Sequence, residues 1–391
     1  MSLSLRTLGA AALLLAATLS PAHAQTPVKV GLALDLSGPF AAAGAEAKNG
    51  FDLAIGQLNG KLGGVPVEFI RTDMAGNPEQ AKAAVDKMIQ SDKIDLFTGP
   101  IGSNVALAVG PTLFAAKVPY ISSNPGPSQY AGDKCSPYFF GQYQNDVFDE
   151  AAGKFASERK FASVVLIAPN YPAGKDHIGG FKRQFDGKIA DEIYSKLGQL
   201  DYGAELAQIR AAKPAAVFLF LPGAMGINFI KQFVGTGMSK EITLITTAFS
   251  ADEDIISAVG EPMLGLFNTS DWTPDLPNAA NVAFVAAYRK AYNKYPSIYA
   301  EQAFEAIMHM DGAVKTAGGK VADREALLKA IKKADYASPR GTVKFGNNNF
   351  PIMDYYLRVI GKDASGTITN KTITTVLKQY QDVYASKCPL K

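Results

Sequence analysis

Residues 28–39 read VKVGLALDLSGP, and the rest of the chain is parsed from them. Val28 to Leu36 is an apolar run with β-branched members that closes on Ser37-Gly38-Pro39, the pattern of a buried strand ending in a turn. Ala45 to Leu58 then carries good helix formers at helical spacing and stops at Asn59-Gly60. The unit recurs: Val65 to Thr72, Ile94 to Gly99 and Val118 to Ser122 read as strands, with helices over Pro78 to Gln90 and Val105 to Ala116 between them. Strands alternating with helices of ten to fifteen residues predict βαβ units and a parallel sheet covered on both faces.

The alternation starts afresh after Asp146. Strands are expected at Ser163 to Ala168, Ile189 to Tyr194, Ala216 to Leu221, Ile242 to Thr246 and Leu264 to Asn268. Helices are expected at Ala151 to Arg159, Gly179 to Phe185, Tyr202 to Ala212 and Ile227 to Thr236. Two successive α/β sheets mean two lobes. Ala279 to Tyr295 and Tyr299 to Gly318 read as long helices. Gly341 to Phe345, Tyr355 to Val359 and Thr372 to Leu377 read as short scattered strands added to existing sheets. The predicted fold is therefore α/β, two doubly wound lobes joined by a three-segment hinge. The chain is expected to cross between lobes near 142–146, 270–274 and 346–351. This assigns 25–144 and 273–348 to lobe 1, and 145–272 and 349–391 to lobe 2. Parallel crossovers of this kind permit closure around a ligand.

Ahead of the first strand, Arg6, the apolar run Leu8 to Leu19 and Ala22-His23-Ala24 have the form of a secretory signal peptide cleaved near Ala24. The run is too short to span a bilayer, and no cysteine stands at the cleavage point to carry a lipid. The net charge is +3, lowered by one without Arg6, and no basic run occurs, so nucleic acid is disfavoured as a partner. Beyond the leader only His177 and His309 remain, which argues against a histidine metal site or a Ser-His-Asp triad. The two cysteines, Cys135 and Cys388, fit no zinc spacing and are expected to form one disulfide in an exported protein. No dinucleotide fingerprint or Gly-Lys-Ser/Thr phosphate loop is present, so no cofactor is expected.

Ligands of open α/β sheets bind outside the carboxyl ends of the strands, and each candidate contact sits at such an end. In lobe 1 these are the Ser37-Gly38-Pro39 turn, Gly99 to Ser103, and the loop from Ser122 through Asn124 to Gly126 and Pro127. Ser103 stands where a helix begins: its hydroxyl is suited to cap that helix, and the free N–H groups there suit a carboxylate. Gly126, between two prolines, reads either as a plain turn glycine or as a point of close ligand approach. In lobe 2, Tyr171 follows one strand, Pro222-Gly223 the next, and Phe249 the one after. Trp272 falls at the second crossover. Any one of these aromatic rings alone reads as core; together in cleft loops they describe a rim suited to an apolar or planar solute. Asp252-Glu253-Asp254 is read as a solvated helix start, although a shifted loop would bring Asp252 or Glu253 into the cleft. No carboxylate pair or nucleophile with a base has catalytic spacing, so the chain is read as non-enzymatic.

The matching strings, in order, begin with Leu36-Ser37-Gly38-Pro39, Gly99-Pro100 with Ser103, and Val118-Pro119-Tyr120-Ile121-Ser122 with Gly126-Pro127-Ser128. They continue with Ala168 to Asp176 (APNYPAGKD), Phe220-Leu221-Pro222-Gly223, Trp272 with Pro274-Asp275-Leu276, Pro296 to Ala300, and Arg340-Gly341. Over its whole length beyond the leader the chain resembles the leucine/isoleucine/valine-binding type of ABC-importer receptors, the type I periplasmic binding proteins, and within it the branch that binds aromatic carboxylates. The resemblance implies that Ser103 and the Asn124 to Gly126 loop hold a ligand carboxylate, that Tyr171 and Pro222-Gly223 close over it, and that Tyr299 is an aromatic contact from lobe 1. It implies a periplasmic monomer that takes a small organic acid and serves membrane permease subunits. Amino-acid binders of the family place an acidic residue after the strand ending near Thr246, where this chain has Thr247-Ala248-Phe249, and often an aromatic ring at the position of Ala43. A buried ammonium without a counter-charge is costly, so both departures favour a bulkier ligand with no amino group. An aliphatic amino-acid receptor is the alternative in the same class; an enzyme and a sensor are those outside it.

Overall fold

A computed structural model describes residues 26–390, so the expected leader at 1–24 lies outside the described residues. The first sheet contains β1 (Val28–Leu34), β2 (Lys61–Leu62), β3 (Val65–Asp73), β4 (Leu96–Thr98), β5 (Tyr120–Ser122) and β6 (Phe139–Gly141) in the order β2-β3-β1-β4-β5-β6. Only the β2–β3 pair is antiparallel. The second contains β7 (Ser163–Pro169), β8 (Lys188–Ser195), β9 (Ala216–Leu219), β10 (Thr243–Thr247), β11 (Phe267–Ser270), β12 (Lys344–Phe345), β13 (Pro351–Lys362) and β14 (Ile368–Tyr380). Its order is β12-β13-β11-β10-β9-β7-β8, with β14 on β13. Strands β7 to β11 are parallel, and β12 to β14 add an antiparallel edge.

The helices are α1 (Ala41–Gln57), α2 (Pro78–Lys87), α3 (Ser103–Ala115), α4 (Ser128–Ala131), α5 (Val147–Glu158), α6 (Pro172–Gln184), α7 (Gly203–Ala212), α8 (Ala224–Gly235), α9 (Glu253–Val259), α10 (Ala279–Tyr292), α11 (Ile298–Thr316) and α12 (Arg324–Lys333). The helix α5 packs on β10, β11 and β13, whereas α10 and α11 return to α1 in the first lobe. The chain therefore runs from the first sheet to the second after Gly141 and returns after Ser270 to helices packed on α1. Gly50 lets α1 approach α11: a Cβ there would stand 2.0 Å from the carbonyl oxygen of Ala300.

Two expectations need correction. The last strands are not short and scattered: β13 and β14 form one long hairpin, and only β12 is brief. In β13 buried and half-buried residues alternate almost throughout, so polar Asp354 and Arg358 interrupt the apolar pattern without interrupting the strand. Asp252-Glu253-Asp254 is also not a solvated helix start. Asp252 is wholly buried and Glu253 nearly so, because the first turn of α9 is covered by α11 from lobe 1 and by β14. The cysteines are joined, with Cα atoms 5.6 Å apart, which ties the chain end after β14 back to lobe 1.

Candidate functional site

Between the lobes lies a narrow cleft, nearly filled by the side chains that line it. Lobe 1 contributes Phe40, Ile101, Ser103, Asn124, Pro125 and Tyr299; the first crossover forms the floor with Tyr143 and Asn145; lobe 2 contributes Tyr171, Ala173, Phe220, Pro222 and Phe249. None of these side chains is charged. The rings interlock around the space. Tyr171 stacks on Phe220 with centroids 6.4 Å apart and planes at 12°, and Phe40 leans on Tyr171 at 5.8 Å. Phe249 meets Tyr143 at 5.3 Å and Tyr299 at 5.4 Å. Burial holds the phenols of Tyr143, Tyr171 and Tyr299 well above their ordinary pKa, so each remains an O–H donor.

Polar groups meet at the opposite wall. The first turns of α3 and α6 face each other across the lobes, and Ala173 N–H donates to Ser103 Oγ at 2.9 Å. Ser103 does not cap α3, contrary to expectation: Gly102 holds the cap position, and the serine hydroxyl reaches the other lobe. With Oγ accepting from Ala173, its proton is left to donate. Two positive helix ends brought together repel unless an anion lies between them. Asn124 is oriented by Gln302, to whose Oε1 its Nδ2 donates at 2.7 Å. Beside the floor, Asp176 of lobe 2 accepts from Ser128 Oγ at 2.7 Å, Ser128 N at 3.1 Å and Asn145 Nδ2 at 2.9 Å, a clasp across the closed cleft. Burial, then the charge of Asp146, pushes its carboxyl up to about 7.

Ser103, Asn124, Tyr171, Pro222, Phe249 and Tyr299 thus share one cleft. Ser122, Gly126, Gly223 and Trp272 do not line it. Ser122 Oγ donates to the Pro125 carbonyl at 2.7 Å and shapes the loop. The missing side chain of Gly126 admits the neighbouring backbone rather than a ligand, since a Cβ would meet Tyr143 O at 2.0 Å. Gly223, at φ +58°, faces Ala42 across the lobes. Trp272 is wholly buried against Phe284, its indole N–H donating to Asn281 Oδ1 at 2.7 Å. Neither Asp252 nor Glu253 reaches the cleft: Asp252 accepts from Ile298 N at the start of α11, and Glu253 from Thr369 and Asn370. Ala43 packs in the core of α1, and the ring on that side comes from Phe40 instead.

Phe40, Tyr143, Asn145, Ala173 and Phe220 also line the cleft, although the sequence does not single them out. Phe40 directly follows the first turn and Phe220 ends the strand before Pro222, so both were legible as loop-proximal rings. Tyr143 and Asn145 required recognising that a crossover is also a floor. Behind Phe220, His177 stacks on its ring at 3.4 Å and contacts Asp149 at 2.5 Å. Burial lowers the His177 pKa and raises that of Asp149, pushing both toward their uncharged forms in the support behind the wall.

Fold and site together define a two-lobed protein of the periplasmic-binding type. The profile of the family described as "Periplasmic binding protein" matches residues 27–365, and the chain belongs to that family, the solute-binding proteins of ABC transporters. It is 28% identical to Leu/Ile/Val-binding protein homolog 6 of Brucella melitensis, covering 90% of this chain and 92% of that protein. Among solved structures it is similar to an ABC-transporter solute-binding protein of R. palustris in complex with benzoate (TM-score 0.88, 30% identity, covering 93% of this chain and 100% of that one). It is also similar to one of Rhodopseudomonas palustris BisB5 in complex with 3,4-dihydroxy benzoic acid (TM-score 0.85, 29% identity, 91% and 99% covered).

Proposed function

We propose that this chain is the periplasmic substrate-binding component of an ABC importer, capturing a small aromatic carboxylate between its lobes and delivering it to membrane permease subunits. It acts as a monomer, without cofactor or turnover, after removal of a leader near Ala24. One observation carries the reading: an uncharged cleft walled by tyrosine and phenylalanine rings, with Ser103 and two facing helix starts at one side. Ring faces take a planar apolar body, and neutral donors with helix N-termini take its carboxylate.

The benzoate and dihydroxybenzoate complexes of similar proteins support the aromatic reading. The name of the Brucella relative points instead to leucine, isoleucine or valine. The lining of the cleft supports the aromatic reading, because no carboxylate there meets a ligand ammonium, and burying that charge unpaired is costly. Isothermal titration of the purified protein with benzoate, cinnamate and leucine tests the proposal. Benzoate- or cinnamate-type acids are expected to bind and leucine not to; tight leucine binding with neither aromatic acid bound overturns it.

A further inference from the structure

The side chain of Arg340, wholly buried between α12 and β12, touches the start of the first two crossovers and β13 just past the third. Its Nη1 donates to the backbone oxygen of Gln142 and to Asp271 Oδ2 at 2.8 Å, and its Nη2 donates to Gln142 Oε1 at 2.8 Å. Nε donates to Glu305 Oε2 at 2.6 Å, and Met353 Sδ lies 3.2 Å from Nη1. Gln142 opens the first crossover, Asp271 the second, and Met353 follows the third, while Glu305 belongs to α11 of lobe 1. Glu305 is itself fixed by Tyr336, whose hydroxyl donates to Oε1 at 2.7 Å.

Such a knot has mechanical content. A guanidinium holds its donors in one plane, so it reaches a carboxylate, a carbonyl and an amide oxygen in different directions without flexing. Breaking a buried pair strands a charge, so these bonds persist while the lobes move. The crossovers are then held to α11 at Gln142 and Asp271, and rotation is confined to the residues just beyond. Tyr143 and Asn145, the floor of the cleft, come directly after Gln142.

We infer that Arg340 is a positioning residue for ligand binding: it fixes the axis about which the lobes close, and thereby where Tyr143 and Asn145 meet the ligand. The inference rests on the proposed closure around a ligand, so its test has a ligand-free arm. Spin labels on K82C in lobe 1 and K240C in lobe 2, both exposed sites, report the interlobe distance by pulsed dipolar spectroscopy. R340K keeps the charge but not the fork, and D271N removes one anchor. Without ligand, R340K is expected to broaden the distance distribution at least twofold and D271N to broaden it less. With benzoate, R340K is expected to weaken binding about tenfold, chiefly through faster dissociation. A merely structural role would lower the melting temperature of both variants and leave the distributions as narrow as in the parent; that result overturns the inference. Failure of the parent protein to bind benzoate would sink the ligand assignment and leave the ligand-free arm standing.

Discussion

Replacing Ser103 by alanine tests the site at the one atom that serves both lobes and the ligand. Ser103 Oγ accepts from Ala173 N–H at 2.9 Å and keeps a proton to donate. A neutral hydrogen bond contributes about 0.5–1.5 kcal/mol and one to a charged group about 1.5–3 kcal/mol. Losing both weakens binding by about 2 to 4.5 kcal/mol, or about 30- to 1,600-fold in Kd. The larger part should appear in dissociation, because the interlobe bond forms only in the closed state. Titration calorimetry with benzoate gives the affinity, and stopped-flow displacement the dissociation rate. The S103T variant retains the hydroxyl and is the control. A fall of less than threefold for S103A, with S103T unchanged, would mean that the carboxylate lies elsewhere and the donor wall described here is not used.

Affinity should also depend on pH. Asp176 has its pKa raised from 3.8 to about 7 when the clasp is shut, so its favourable contribution is complete below pH 3.8 and is lost as the pH rises toward 7. Between pH 5 and 7, where an aromatic acid stays ionised, benzoate affinity is expected to fall by up to about tenfold per pH unit for this group, then level off. D176N should flatten the profile, and an unaltered slope refutes the assignment. The E253Q variant is expected to leave benzoate affinity within about threefold and to lower stability by about 1 kcal/mol, read by urea denaturation, since Glu253 holds Thr369 and Asn370 rather than the ligand. Loss of binding would instead favour the amino-acid reading. The double variant C135S with C388S should lose about 2–5 kcal/mol of stability in the same assay, and an unchanged urea midpoint would refute a stabilising role for the link.

Local pattern was enough for the architecture, since the strand at 28–34 with its turn and helix recurs through both sheets. It was also enough for residues at the carboxyl ends of strands, where Ser103, Tyr171 and Phe249 converge. Features created only when the two lobes meet were not legible. Asp252 looks like a helix-start acid until α11 is laid over it, and Trp272 looks like a cleft ring until Asn281 and Phe284 enclose it. The polar side of α11 shows that pairings within lobe 1 are equally hidden. Glu301, Gln302, Glu305 and His309 are all buried, and their partners Asn124, Arg340 and Gln142 lie far away in sequence. No helical periodicity predicts such pairings, because they belong to the tertiary fold.

The bond between Cys135 and Cys388 closes a ring that contains every β-strand of the second sheet and all three passages between lobes. A protease that cuts one surface loop anywhere inside that ring opens it without parting the pieces, for the two fragments remain one covalent molecule. A single nick within that stretch therefore releases no fragment.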